Sequence, residues 1–123
     1  MADGLSTANA NLAVAAAVGT NAGYVQLHTG DPGSAGTSNV SSVTTRESVT
    51  WGSASAGSIS ASNQPEWTSW AGTNGEVDTD CSFWSASSSG TFGLSMAFAS
   101  GVTMDTGDSL TLTSLTISIT TAS

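Results

Sequence analysis

The chain has almost no positive charge. Arg46 is its single cation, against nine acidic residues, and the formal net charge is −8. Nucleic-acid binding needs cationic groups that displace counterions from phosphates, so one arginine excludes that class of partner. The same shortage disfavours an anionic membrane surface. Cys81 is the one cysteine, so no intrachain disulfide can form and no oxidising compartment is implied. His28 is the one histidine, too few for an ordinary zinc site. The longest apolar run near the N-terminus, Leu12–Val18, is far short of a transmembrane span. No Lys or Arg precedes it, as a signal peptide would require. The chain therefore reads as soluble and unprocessed.

What is present is small and patterned. Serine and threonine make up a third of the chain, and there are 14 glycines. Such a composition buries little apolar surface and borders on that of disordered chains. Four tryptophans, three phenylalanines and 38% hydrophobic residues argue instead for a folded core. The length of 123 residues suits one domain, expected to span residues 1–123.

The stretch Tyr24–Gly36, YVQLHTGDPGSAG, divides two kinds of sequence. Before it, Ser6 or Thr7 can cap an Ala-rich helix over about 6–18, with Gly19 at its end. Leu5, Leu12 and Ala16 are expected on its docking face, beside Ala8 and Ala15 and widened by Val14 and Val18. After it come short strands and small-residue turns as far as about residue 120. Strands are expected at 24–29, 43–51, 58–61, 76–84, 91–99 and 110–120. Asn74-Gly75 is a hairpin signal. In the last strand, a phase slip at Thr113-Ser114 suggests a bulge. The expected fold is mainly β, a compact antiparallel β-sandwich or small barrel with one short N-terminal α-helix. Gly30–Ser42 is a long polar loop, a length that often marks a contact element or lid.

Several stretches carry a resemblance: LSTANANLAV, YVQLHTGDPG followed by AGTSN, TTRESVTWGSAS, WSASSSGTF and MDTGDSLTLTSLTISI. Their order and spacing are similar to a family of small virion proteins, common in actinobacteriophage genomes, usually labelled minor tail protein or tail fibre protein. Relatives often carry Thr-His where this chain has Thr79-Asp80. The resemblance implies a multi-copy, non-enzymatic structural protein on the phage particle surface, made in the host cytoplasm. A minor tail or tail-fibre role is the first expectation, and a capsid decoration role is the alternative. The partners so implied are further copies of the chain, in a trimer or higher cyclic assembly, and other virion proteins.

The residues themselves offer few chemical sites. His28 and Asp31 are near neighbours, which raises a general-base reading. No nucleophile can be placed beside them from sequence, so no catalytic residue and no cofactor is assigned. Glu76, Asp78 and Asp80 alternate and are expected on one strand face, a weak oxygen-only calcium site or a solvated surface. Trp51, Trp67, Trp70 and Trp84 could form a sugar-stacking platform for a host-surface glycan, with Trp67 and Trp70 the foremost pair. A glycan- or receptor-binding module is therefore the second alternative, although packing is the commoner use of tryptophan. Arg46, alone in so acidic a chain, is expected to pair with a carboxylate. Leu5, Leu12, His28, Asp31, Pro32, Arg46, Trp67 and Trp70 are the interface candidates.

Overall fold

The computed structural model describes residues 3–122. Helix α1 spans Thr7–Gly19. The Ser6 hydroxyl accepts a hydrogen bond from the Asn9 amide at 3.2 Å, satisfying one of the free N–H groups of the first turn. The buried stripe is Ala10, Val14 and Val18, spaced by four. The docking face is therefore rotated from the expected one: Leu12 is 70% exposed and Leu5 41%. The cause is close packing. Ala10 is small enough to sit against Gly57, and Asn11 Oδ1 accepts from the Gly57 amide at 2.8 Å. The helix ends at Thr20 with φ −123°, not through a left-handed glycine.

Eight strands follow: β1 (Tyr24–His28), β2 (Glu47–Ser48), β3 (Ser58–Ser60), β4 (Glu66–Trp67), β5 (Glu76–Trp84), β6 (Phe92–Met104), β7 (Leu110–Thr111) and β8 (Thr116–Ser118). The main sheet has the order β2-β1-β5-β6, antiparallel throughout. Two small antiparallel pairs, β3–β8 and β4–β7, pack with the helix on one face of it. Between the layers lies the core, where Val25, Leu27, Cys81 and Phe83 meet Val14, Val18, Ile59, Trp67, Met104 and Leu110. The result is a mainly β, antiparallel sandwich with one N-terminal helix.

Three elements depart from the sequence pattern. Of the segment 43–51, only Glu47–Ser48 joins the sheet. Other polar groups there are taken by side chains: the Val43 amide donates to Ser41 Oγ, and the Thr45 carbonyl accepts from the Trp67 indole. The segment 110–120 is not one bulged strand. Its phase slip marks a change of partner, from β4 to β3, so it splits into β7 and β8. The Asn74-Gly75 turn, with Gly75 at φ 81°, does not close a hairpin, because β4 pairs with β7 and not with β5.

The longest pairing, β5 with β6, carries two irregularities, at Asp78/Asp80 and at Phe83/Trp84. The first reverses the phase of β5: Asp78 points inward and Val77 is 44% exposed, yet Cys81 and Phe83 also point inward. Glu76, Asp78 and Asp80 therefore do not share a face. The second makes Gly93 an extra residue, so Phe92 turns away from Leu94 and packs on Trp84, with ring centroids 5.5 Å apart.

Candidate functional site

β1 is buried on both faces. Val25 and Leu27 enter the core, while Gln26 and His28 lie on the reverse face and are buried too. Arg46 lies against Gln26, and His28 is covered by the long loop after β1. It folds back along the strand: Thr29 N donates to Asn39 O at 2.8 Å, and Ser41 N to Leu27 O at 3.1 Å. Its turn is built locally. Asp31 Oδ1 accepts from Gly33 N at 2.8 Å, Asn39 Nδ2 donates to Asp31 O at 2.9 Å, and Gly33 and Gly36 have positive φ. Gly36 is seated on the Phe92 ring, where a Cβ would collide with the ring.

Beneath this loop lies a polar network. His28 Nδ1 is 2.8 Å from the Ser38 carbonyl, so it carries the proton and donates. Nε2 then accepts from Ser82 Oγ at 2.7 Å, and Ser82 Oγ in turn accepts from the Trp84 indole at 2.7 Å. Burial of the ring holds the His28 pKa below the usual histidine value, which keeps it neutral. Beside it, Arg46 lies over the Trp84 ring at 4.1 Å from the centroid. Its Nε donates to Gln26 Oε1 at 2.9 Å, and one terminal nitrogen donates to the Ala86 and Ser89 carbonyls at 2.8 and 2.7 Å. Arg46 is thus held by neutral acceptors and a π face, and the expected carboxylate partner is not what binds it.

The Ser82–His28 contact has the geometry of a nucleophile and its base. Both side chains are fully buried, however, and the ring is oriented by a carbonyl instead of a carboxylate. Asp31, the expected partner of His28, spends its carboxylate on its own turn. A group that no substrate can reach, with both ring nitrogens satisfied, is suited to tying a loop to a sheet. Gln26 and Ser82 were not among the sequence candidates, and Trp84 was one only as part of a sugar platform, whereas its indole is bonded inside this network. Their signal was the alternation of polar residues with core residues in two neighbouring strands.

A second cluster sits at the far end of β5. Glu76 accepts from Ser41 Oγ at 2.6 Å and from the Ser42 amide, fastening the end of the long loop. Asp78 is fully buried beside Glu76, and neither of its carboxylate oxygens has a well-aligned hydrogen-bond partner. Burial, and then the neighbouring Glu76, push its pKa up to about 7. Asp80 is on the other side of the irregularity, bonded to Thr79 Oγ1. Among the described residues no three carboxylate, histidine or cysteine side chains are placed to hold a metal ion.

The remaining interface candidates divide by burial. Leu5, Leu12 and Asp31 are exposed, while His28, Pro32, Trp67 and Trp70 are buried and offer no contact surface. The indoles of Trp67 and Trp70 donate to the Thr45 and Thr73 carbonyls, so the expected sugar-stacking platform is part of the core. No helix among the described residues is long and apolar enough to cross a membrane.

Buried polar groups bonded to one another thus tie the loop, β1 and β5 of the sandwich together. The family model described as podophage GP4 fiber I protein gp80 matches residues 4–120, and the chain belongs to this family. The match places the chain in a phage fibre family and does not carry the actinobacteriophage label expected from the LHTGDPG stretch. No curated protein matches the chain.

Proposed function

We propose that this chain is a tail-fibre-type subunit on the surface of a phage particle, present in several copies and attached to other virion proteins. The observation that carries this reading is the family match over residues 4–120. The structure fits the role. Its histidine, its arginine and its four indole N–H groups are all engaged internally. The long loop that sequence marks as a possible lid is fastened at both ends. The exposed side of α1, around Leu12, and the turn at Asp31 are two surfaces open to contacts with other virion proteins.

The test is the copy number of the chain in purified virions, by quantitative mass spectrometry against the major capsid protein. A small fixed number of copies per particle supports the fibre role. A ratio near one copy, or a third of a copy, per capsid protein replaces it with a capsid decoration role. Absence from the particle refutes both.

A further inference from the structure

The main sheet ends in an open edge. β6 is outermost, and among the described residues Gly93 to Thr103 form no backbone hydrogen bond other than those with β5. Exposed edges are normally guarded by shortness, charge, proline or bulges, because their free N–H and C=O groups invite another strand. β6 is 13 residues long. No charged residue and no proline occurs anywhere in Cys81–Met104. Its only guards are the two irregularities, and between them Leu94–Ala97 keeps regular register with Asp80–Phe83. Beside this run opens a groove of about 230 Å³, lined by Met96, Phe98, Val102, Leu110, Leu112 and Leu115.

A row of free backbone groups is matched by another extended backbone, and charge selects which one. Two chains of net charge −8 repel least along a strip that carries no charge of its own, and the nearest carboxylate here is Asp80, opposite Ala97. A basic partner would be drawn to the acidic surfaces instead. The opposite edge of the same sheet is β2, only two residues long and including Glu47, so it cannot receive β6 head to tail. β6 against β6 is self-complementary about a twofold axis. We propose that β6 of one copy pairs antiparallel with β6 of a second copy across Leu94–Ala97. The inference rests on the multi-copy reading for its occupant and on the sheet edge for its location.

Sedimentation equilibrium of the full chain, up to millimolar concentration, tests it. Ser95 and Ala97 are exposed, so Ser95→Glu and Ala97→Glu leave the core intact while setting like charges against each other across the axis. The wild type is expected to dimerise. Each variant should weaken dimerisation roughly tenfold or more, and exposed Thr44→Glu should leave it unchanged. A second readout uses the wild type alone: amide exchange in Gly93–Thr103 should slow as concentration rises. A wild type that stays monomeric, a dimer indifferent to both glutamates, or exchange independent of concentration overturns the proposal. None of these outcomes alters the virion copy number, which tests the fibre role separately.

Discussion

His28 Nε2 lies 2.7 Å from Ser82 Oγ, joining β1 to β5 on the face of the sheet turned away from the main core. The other ring nitrogen reaches the Ser38 carbonyl, so one imidazole ties two strands and the covering loop together. Replacing Ser82 by alanine leaves a buried nitrogen unpaired, a loss of roughly 1–3 kcal/mol. His28→Ala should cost at least as much, because it also opens a cavity. Urea denaturation followed by tryptophan fluorescence measures both. A His28→Ala variant as stable as wild type would remove the tying role.

Asp78 sets the direction of a pH dependence. Its pKa is raised in the folded chain, from 3.8 to about 7. Between those values the folded state keeps a proton that the unfolded state has released. Stability from this group is therefore full below about pH 4, falls as pH rises, and levels off above about 7. His28, with its pKa lowered by burial, acts in the opposite sense on acidification. The informative quantity is thus the difference between wild type and Asp78→Asn, in which the histidine cancels. Asp78→Asn should gain roughly 2–4 kcal/mol over wild type between pH 4 and pH 8, read from denaturation midpoints across that range. A constant difference would show that Asp78 does not titrate there.

Arg46 illustrates a cation held without a counter-ion. Lysine cannot reproduce its fork towards Gln26, Ala86 and Ser89, nor its planar stacking on Trp84. Arg46→Lys is expected to cost roughly 1–3 kcal/mol. It should also change the near-ultraviolet circular dichroism of the Trp84 environment. Equal stability and an unchanged spectrum would mean that the fork is dispensable.

Gly36 has φ 71° and lies against the Phe92 ring. Gly36→Ala combines backbone strain with a collision, an expected loss of roughly 1–3 kcal/mol. The loop should loosen first, seen as faster amide exchange at Thr29 and Ser41. Pairing the change with Phe92→Leu should recover part of the loss.

Leu12 and Val14 are two positions apart on one helix and differ in burial. Val14→Ala should destabilise the chain by roughly 0.5–3 kcal/mol, whereas Leu12→Ser should stay within about 0.5 kcal/mol of wild type. If the outer helix face contacts other virion proteins, Leu12→Ser particles will carry fewer copies of the chain. Normal incorporation would exclude that face.

Much of this protein is legible in its local sequence. Its capping serine and alanines place the helix, and the alternation in 24–28 and 76–84 marks the two central strands. These signals are local, fixed by backbone geometry and by the periods of helix and strand. Tertiary structure decided which faces those elements bury. Close approach to Gly57 needs a side chain as small as Ala10, and Val14 and Val18 continue that stripe at intervals of four, which leaves Leu12 outside. The irregularity before Asp80 separates three carboxylates that strict alternation would align. His28, Ser82 and Arg46 converge only because β5 crosses from one end of the chain's middle to pair with β1, and the loop after β1 folds over both. Such contacts join residues as much as 54 positions apart. No local pattern encodes them, because they depend on which strands pair and where a ladder slips.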